Sequence, residues 1–291
     1  MKGGFGNQLF QLCMAHYLKE HGFDVKINTD LFKELKSDTP RELTLPLENF
    51  GFTEQTLFSK FQFNSLLKIN SNRYIKKSIL KSLFRDYKFT KDNDDILNQT
   101  NKKIFLNGYW KDIKYIENST EWLISSIKKN EIIKDAWKST LDENRAMIHI
   151  RRGDFIKDDR ELKVSYYEKS INLLRRQNSK LKFDIFTDDE QWVQDQSIFS
   201  LSDNIYAQQS GKNTNNEIPG IDGKDDSEET IKTFSQMLNY KHFIAGNSSF
   251  AFWAAFIRSD MTSLVTVPKP WFRNNDHPTL HKAHWNIINN A

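Results

Sequence analysis

Three short polar segments of this chain have residue types and positions that could bind a nucleotide. Each directly follows an apolar run that predicts a strand: RRGD at 151–154, TDD at 187–189 and GNSS at 246–249. In open α/β sheets, ligands bind outside the carboxyl ends of parallel strands, so we expect the three segments to meet at one edge. Two guanidinium groups and a helix amino terminus suit a diphosphate, and a carboxylate can accept from the N–H groups of guanine. The pattern predicts a purine-nucleotide site for a guanine diphosphate ester.

Each segment also has a simpler interpretation. An arginine pair after a strand is usually solvated or ion-paired, an Asp-Asp pair is often a turn or cap, and two serines before a helix are most often a cap. The amino-terminal GGFGN at 3–7 resembles a phosphate-binding loop, yet it lacks the P-loop lysine and its glycine spacing fits no dinucleotide-binding pattern. Placement after successive strands is what favours a common site.

The elements that would position these segments alternate regularly from residue 146. Predicted strands lie at 146–150, 183–186, 204–207, 242–245 and 264–267. Predicted helices lie between them at 166–177, 190–199, 228–240 and 250–258. Strands that alternate with helices of this length indicate βαβ crossovers and a mainly parallel sheet. The predicted fold class is therefore α/β.

The first half of the chain is less regular. Apolar spacing at 7–21 predicts a helix that Gly22 ends. Its apolar face carries Leu9, Phe10, Cys13, Met14, Tyr17 and Leu18. Strands are predicted at 24–29 and 103–110, a helix at 113–129, and a boundary between two halves within 130–145, where charged and polar residues cluster.

Composition excludes several classes of protein. The 291 residues contain 42 Lys+Arg and 38 Asp+Glu, and a net charge of +4 is too weak to require a polyanionic partner. Cys13 is the single cysteine, which excludes an internal disulfide and a cysteine-cluster metal site. The amino terminus has no apolar signal-peptide core, and the longest apolar run, at 250–257, is far too short to cross a bilayer. We expect a cytoplasmic protein.

The chain carries five motifs in a characteristic order. They are GGFGNQLFQ at 3–11, HIRRGDF at 149–155, IFTDD at 185–189, HFIAGNSSFAFWAAF at 242–256 and VPKPWF at 267–272. This ordered set resembles the bacterial α-1,2-fucosyltransferases of glycosyltransferase family 11, and the resemblance is weakest over roughly 31–145. It implies a GT-B-like fold with two Rossmann-like halves and a cleft between them. Residues 1–140 would form the acceptor-side half with a helical insertion, and 141–291 the GDP-fucose-binding half.

The resemblance also implies a reaction. Such enzymes move L-fucose from GDP-β-L-fucose, with inversion, to the 2-hydroxyl of a terminal β-galactose in a surface glycan such as an O-antigen. The acceptor could be lipid-linked. No cofactor and no metal are expected, because arginines replace the divalent cation as charge stabiliser. In agreement, no predicted strand is followed by an Asp-X-Asp triplet, and DGKDD at 222–226 is interpreted as loop.

Binding roles carry over from the motifs residue by residue. Arg151 would contact the β-phosphate and Asp188 the guanine, while Arg152 and Asp189 would brace the motif or bind more weakly. His149 would either contact the donor or be a core histidine. The whole implied GDP-fucose-binding set is Gly6, Asn7, His149, Arg151, Arg152, Asp188, Asp189, Ser248, Ser249 and Phe250, the last through its N–H.

Three residues are expected to act in catalysis. Arg151 would stabilise the charge that develops as GDP leaves, and Asn7 would face the leaving group from the other half. Asp154 is the candidate general base, although it could instead pair with Arg152. Other carboxylates that could overhang the cleft are Asp158, Asp159 and Glu161.

Two departures from the family pattern stand out. Family members usually have an apolar strand before the glycine loop, whereas only Met1 and Lys2 precede Gly3 here, so we expect either a missing strand or a first sheet without it. The usual double tryptophan after the Asn-Ser-Ser segment is Phe252-Trp253. Neither departure removes a donor-site residue.

Residues 68–89 predict a basic amphipathic helix. Ile75, Ile79, Leu83 and Tyr87 recur every four residues among seven Lys and Arg and a single Asp. The favoured interpretation is a core-facing helix with a solvated basic back. The alternative is peripheral contact with anionic lipid at the inner membrane face. Nucleic acid is not expected, because no recognised reader fold accompanies the patch.

Two other functions remain open at this point. The chain could be a related GDP-sugar transferase with another linkage or acceptor. It could also be a non-catalytic guanine-nucleotide or glycan-binding homologue, and steady release of GDP would separate the two.

Overall fold

The computed structural model describes residues 1–30, 32, 42–55, 87–90, 96–97, 103–207, 226–272 and 280–290. It divides into two compact units, Met1–Gly3 with Asn7–Ser119 and Gly4–Gly6 with Thr120–Ala291. The division falls after Ser119 rather than near residue 140, so the helices that follow Ser119 belong to the second unit. The assignment of the two parts to acceptor and donor stays a prediction.

Helix α1 spans Phe5–Glu20, as its apolar spacing predicts. Five of the six residues predicted for its apolar face are buried, and Tyr17 is half-buried. The chain leaves the helix at Gly22, which has φ +84° and donates its N–H to the carbonyl of Lys19 at 3.0 Å. A positive φ is the conformation that glycine adopts without steric cost, so Gly22 ends the helix as expected.

The strand predicted at 24–29 is wrong. Only Ile27 pairs, in an isolated parallel bridge with Glu54. The Asn28 side chain accepts from the N–H of Asp30 at 3.2 Å, and this local turn replaces further ladder pairing. The amino-terminal ammonium group donates to the Asn28 carbonyl.

The rest of the described first unit is short and irregular. A 3₁₀ helix spans Leu47–Phe50, and strands β1 (Tyr87–Thr90) and β2 (Lys103–Leu106) pair in parallel. The predicted strand at 103–110 therefore ends at Leu106. Residues 68–86 of the predicted basic helix lie outside the described residues, and the end of that prediction is wrong, because Tyr87 begins a strand.

The helix predicted at 113–129 is two helices, α2 (Ile113–Glu117) and α3 (Thr120–Ile127). The Asp112 side chain caps α2 by accepting from the N–H of Lys114 at 3.0 Å. Ser119, buried between the helices, donates its hydroxyl to the carbonyl of Cys13 at 3.1 Å. The hydrogen bond therefore fixes Ser119 at the position where the predicted single helix is interrupted.

The second unit is built on a parallel sheet with a helix in most crossovers. In chain order its elements are α3, α4 (Glu131–Trp137), β3 (Asp142–Ile150), α5 (Gly153–Lys157), α6 (Val164–Gln177), β4 (Lys182–Thr187), α7 (Glu190–Asp195), a 3₁₀ helix (Ser197–Leu201), β5 (Ser202–Ala207), α8 (Asp226–Met237), β6 (Tyr240–Ile244), α9 (Ser249–Arg258), β7 (Val265–Lys269) and β8 (Asn286–Asn289). Within the described residues the strand order is β5-β4-β3-β6-β7-β8, and every pair is parallel. The predicted α/β class is confirmed, and the Rossmann-type sheet is consistent with a GT-B-like fold.

The five predicted strands of this unit all form, with small shifts in their ends. Strand β8 was missed, since its four residues, NIIN, are too short and too polar to stand out. The helix predicted at 190–199 breaks at Gln196, which is extended, and the helix predicted at 228–240 ends at Met237, because Tyr240 begins β6.

The longest apolar run of the sequence is the core helix α9. Its residues 251–257 are all buried. Phe252 packs edge-to-face against Trp253, Trp271 and Trp285, at ring-centroid distances of 5.5, 6.3 and 6.0 Å. Aromatic pairs in this geometry stabilise a core beyond their buried area. The Phe-Trp pair at 252–253 is thus a packing variant within an aromatic cluster.

The buried carboxylate of Asp184 is hydrogen-bonded to residues of three other strands in the sheet. Asp184 on β4 accepts from Arg145 of β3 at 2.6 Å, from Tyr240 of β6 at 2.7 Å and from Asn204 of β5 at 2.8 Å. Burial and this hydrogen bond raise the pKa of Tyr240 well above its usual value, so the phenol keeps its proton. Losing one partner of a buried ionic network leaves the others unpaired, which is costly.

We predict that Asp184→Ala destabilises the second unit by about 3 kcal/mol, because Arg145 and Tyr240 lose a buried acceptor. The control is Asp203→Ala, since Asp203 lies 3.3 Å from the same Arg145 but is exposed. An exposed pair contributes about 0.5 kcal/mol, so this control should unfold almost like the wild type. Denaturant unfolding measures both, and equal effects would contradict the assignment of the network to Asp184.

Candidate active site

The structure brings the three polar segments together at the carboxyl edge of the sheet. Strand β3 lies between β4 and β6, so the residues that follow these strands are neighbours. The N–H of Arg152 donates to Asp188 Oδ1 at 2.7 Å. On the other side, a Cβ placed on Gly246 would lie only 2.9 Å from the carbonyl oxygen of His149. Only glycine allows the β6 end to approach β3 this closely.

Arg151 is held by two carboxylates. Its Nε and Nη2 lie 2.9 and 2.8 Å from Asp154 Oδ1, and its Nη1 lies 3.0 Å from Asp188 Oδ2. The Asp188 side chain is 2% exposed, whereas that of Asp154 is 45% exposed. Asp154 therefore pairs with Arg151 and not with Arg152, the partner considered from the sequence.

Arg152 braces the turn after β4. Its Nε donates to Asp189 Oδ2 at 3.1 Å, and its guanidinium carbon lies 4.0 Å from the centre of the Trp192 ring. Asp189 in turn caps α7 by accepting from the N–H of Trp192 at 3.2 Å. A guanidinium over an indole face adds a cation–π attraction to the ion pair. Arg152 and Asp189 thus fix the loop that carries Asp188.

Asp188 is packed inside the RRGD turn. Its Oδ1 accepts from the N–H of Arg152, and its Oδ2 forms an ion pair with the Arg151 guanidinium at 3.0 Å without a hydrogen bond. A Cβ at Gly153 would lie 2.8 Å from Asp188 Oδ2, so a larger residue there would require this carboxylate to shift. The contact with guanine predicted for Asp188 stays a prediction that this geometry does not support.

His149 is a buried, neutral imidazole. Burial and the nearby Arg151 charge lower the pKa of His149 to about 3, so the ring is uncharged at neutral pH. Its Nδ1 is buried without a hydrogen-bond partner. The ring is also part of the wall of a small pocket at the ends of β3 and β4. His149 is thus a core residue that faces a pocket.

The same pocket includes Thr187, the first residue of the TDD segment, and two residues that sequence reasoning missed. These are Thr233 and Met237, which line the pocket from α8. Threonine and methionine on an amphipathic helix carry no chemical signature, so only the packing of α8 against the sheet could reveal them. Two hydroxyl groups and a neutral imidazole give this pocket polar groups without formal charge, beside the charged Asp188 and Arg151.

The start of α9 is capped internally. Ser248 Oγ accepts from the N–H of Phe250 at 3.3 Å, which is the simpler interpretation of the serine pair. The Phe250 ring packs on Phe234, with ring centroids 5.5 Å apart. A phosphate bound by Ser248, Ser249 and the N–H of Phe250 stays a prediction, and it would have to compete with this cap.

Gly6 lies directly against the same helix end. A Cβ on Gly6 would lie 2.6 Å from the carbonyl carbon of Ser249 and 2.7 Å from the nitrogen of Phe250. The carbonyl of Gly6 accepts from Trp253 Nε1 at 2.8 Å. The glycine is therefore required by backbone packing, whether or not it also contacts a ligand. Asn7 belongs to the first unit, where its carbonyl accepts from Gln11 Nε2 at 2.9 Å, and its catalytic role stays a prediction.

The family model for glycosyl transferase family 11 matches residues 1–289 of the chain. The chain belongs to this family. An alpha-1,2-colitosyltransferase of Escherichia coli is 26% identical over 95% of this chain and 92% of its own length. The O-antigen biosynthesis glycosyltransferase WbnK of Escherichia coli is 24% identical over 98% of both chains. No solved structure gives a significant match to the chain.

Membership of family 11 makes the chain a glycosyltransferase, with a nucleotide-sugar donor and a glycan acceptor. The predicted family resemblance is thereby confirmed. Among the helices that the structure describes, none has the length and apolar character needed to span a membrane.

One acidic triplet of this family 11 chain escaped the sequence analysis. Asp92 and Asp94 form an Asp-X-Asp spacing shortly after Thr90, and Thr90 ends strand β1, which was not predicted. The statement that no strand precedes such a triplet was therefore wrong. Residues 91–95 lie outside the described residues, and within the described ranges no group of three or more His, Cys, Asp and Glu could hold a metal ion.

Arg160 is a further cationic residue that the motif analysis missed. Its guanidinium carbon lies 4.5 Å from the centre of the Phe155 ring and 5.7 Å from that of Phe272. Its Nη2 lies 3.9 Å from Asp154 Oδ2. Its backbone carbonyl accepts from the buried Asn247 side chain at 2.6 Å. Arg160 lies eight residues after Arg152, outside the RRGD segment, so no motif includes it. It nevertheless lies near the carboxylate of Asp154, which also pairs with Arg151.

We predict that Gly6→Ala destabilises this glycosyltransferase by about 3 kcal/mol, since the new methyl group overlaps backbone atoms that cannot rotate away. Gly22→Ala is the control, because its surroundings are open and only its positive φ is strained, which costs about 1 kcal/mol. Thermal unfolding compares the two variants. A Gly6→Ala protein as stable as the wild type would show that the close approach to α9 is dispensable.

Proposed function

We propose that this glycosyltransferase moves L-fucose from GDP-β-L-fucose, with inversion, to the 2-hydroxyl of a terminal β-galactose in a bacterial surface glycan such as an O-antigen. The observation that carries the proposal is the position of Arg151. Its guanidinium is anchored by a buried carboxylate at the carboxyl edge of a parallel sheet, which supports the proposal because ligands of such sheets bind at this edge and arginine binds phosphates. The motif around it is the one that resembles the fucosyltransferases of the family.

The proposed reaction is a displacement at the anomeric carbon. The acceptor hydroxyl attacks the face opposite the phosphate, the bond from that carbon to the phosphate oxygen breaks, and the electron pair stays on GDP. Arg151 stabilises the charge that develops on the β-phosphate, which is often the largest single catalytic contribution. Asp154 is the candidate acceptor of the hydroxyl proton.

A second donor is supported by one of the relatives. The alpha-1,2-colitosyltransferase has the same α-1,2 linkage in its name but a different sugar. Colitose differs from fucose by the absence of the 3-hydroxyl group. GDP-colitose is therefore the alternative donor, with the same linkage and the same role for Arg151.

The first experiment offers GDP-fucose and GDP-colitose with a β-galactoside acceptor, in the presence of EDTA, and analyses products by mass spectrometry. We expect a galactoside heavier by one deoxysugar, at a rate that EDTA does not alter. A loss of rate that added metal restores would implicate a cation and direct attention to Asp92 and Asp94. If the protein bound GDP but released none from the GDP-sugar donors, the non-catalytic homologue would be favoured.

Arg151→Ala provides the matched inactive variant for this assay. Its turnover should fall by about 100–1000-fold, the usual effect of removing a charge-stabilising donor. Arg176→Ala removes an exposed arginine of α6 and should transfer sugar at the wild-type rate. Near-native turnover by Arg151→Ala would remove this residue from the mechanism.

The role of Asp188 can be tested with two ligands. Asp188 contacts Arg151 and the N–H of Arg152. Asp188→Asn should therefore lower the affinity for GDP and for inorganic pyrophosphate by about tenfold each, as expected when a charged partner is lost. Calorimetry measures both affinities. If instead Asp188 contacts guanine, only GDP binding should weaken, and pyrophosphate binding should not change.

Membrane contact through residues 68–89 also stays a proposal. It would predict binding to anionic vesicles that GDP does not affect.

A further inference from the structure

The two carboxylates on Arg151 differ in how firmly they are held. Asp188 is 2% exposed and has two hydrogen-bonded or ionic partners in the turn, so its place is fixed. Asp154 is 45% exposed and lies in the first turn of the short helix α5. Of the two, only Asp154 can leave Arg151 without a buried carboxylate losing its ion-pair partner.

Asp154 occupies the Nε and Nη2 side of the Arg151 guanidinium, which offers two parallel N–H donors to an anion. Its Oδ1 is within 2.9 Å of both Nε and Nη2, which is the side of the fork that binds two oxygens of an anion. Carboxylates and phosphates are recognised by the same parallel N–H donors of arginine. A diphosphate that binds Arg151 on this face must therefore displace Asp154.

A second guanidinium lies next to the other oxygen of Asp154. Arg160 Nη2 is 3.9 Å from Asp154 Oδ2, a distance that a small side-chain rotation closes. Arg160 is held in place by its packing on Phe155 and Phe272 and by the hydrogen bond from Asn247 to its carbonyl. It also pairs with Asp158, which is largely exposed. The displaced carboxylate thus has a preformed partner beside it.

We propose that Asp154 and Arg160 are positioning residues that clear Arg151 for the donor. When the diphosphate binds Arg151, the Asp154 carboxylate leaves that guanidinium and pairs with Arg160. The proposal rests on the proposed function, because it takes Arg151 as the diphosphate ligand. It differs from the general-base role, which requires Asp154 to face the acceptor and predicts no effect on GDP affinity.

The first test measures GDP affinity by calorimetry for Asp154→Asn. The variant should bind GDP about fivefold more tightly than the wild type, the contribution of one partly exposed ion pair that no longer competes. Glu168→Gln is the control, since it removes one negative charge from the exposed face of α6 and should leave GDP affinity unchanged. Unchanged or weaker binding by Asp154→Asn would overturn the proposal.

A double-mutant cycle then tests Arg160. In the wild-type background, Arg160→Gln should weaken GDP binding, because the displaced carboxylate stays beside the phosphate. In the Asp154→Asn background, the same change should have almost no effect, since Arg160 acts only through Asp154. If Arg160→Gln lowered GDP affinity equally in both backgrounds, Arg160 would attract the phosphate directly. The proposed move of Asp154 from Arg151 to Arg160 would then be wrong.

A crystal structure of the wild-type chain with GDP tests the exchange even if a variant folds poorly. It should show Asp154 closer to Arg160 than to Arg151. If Asp154 Oδ1 still contacted Arg151 Nε and Nη2, with GDP bound elsewhere on that arginine, the inference would be overturned and the donor assignment would remain intact. No GDP binding by the wild type would instead refute the proposed function, and the inference with it.

Discussion

The candidate site depends on one buried carboxylate, that of Asp188. It directly follows Thr187, the last residue of β4, and it joins the end of that strand to the turn after β3 through Arg152 N–H and the Arg151 guanidinium. A buried charge is tolerated only when it is paired and hydrogen-bonded, so the turn has to close around it. This closure explains Gly153, where any Cβ would touch the carboxylate. The orientation of Arg151 is therefore set by the fold rather than by a ligand.

The remaining charges of the site follow from this constraint. Arg151 is fixed on its buried side by Asp188, and its Nε and Nη2 are occupied by the more exposed Asp154. Arg152 contacts Asp189 and Trp192 and stabilises the loop that carries Asp188. The two adjacent arginines of the motif therefore contact different carboxylate partners in the turn, Asp154 for Arg151 and Asp189 for Arg152.

Much of the second unit could be predicted from the sequence, and little of the first. Strands β3, β4, β5, β6 and β7 are apolar runs separated by helices of regular length, so period and spacing were sufficient. Strand β8 depends on backbone pairing with β7, and the break at Ser119 accompanies a side-chain hydrogen bond to Cys13, and no local pattern reveals either contact. The motifs contain Arg151, Asp154 and Asp188, but their ion pairs could not be predicted, because the sequence does not show which carboxylate contacts which arginine. Arg160 and Thr233 were missed for the same reason, since their proximity arises only from packing.

The choice between fucose and colitose depends on a single hydroxyl group, and the chemistry of recognition makes that choice asymmetric. A pocket built to hydrogen-bond the 3-hydroxyl of fucose leaves polar groups unpaired when colitose binds, so it rejects colitose strongly. A pocket built for colitose is apolar at that position and discriminates weakly against an added hydroxyl, unless it is too narrow to admit one. Strong preference for GDP-fucose would therefore identify a fucosyltransferase, whereas similar rates with both donors would favour a pocket shaped for the deoxysugar. The motifs at 151–154, 187–189 and 246–249 are proposed to bind the diphosphate, which the two donors share, so the discrimination would come from the residues around the sugar.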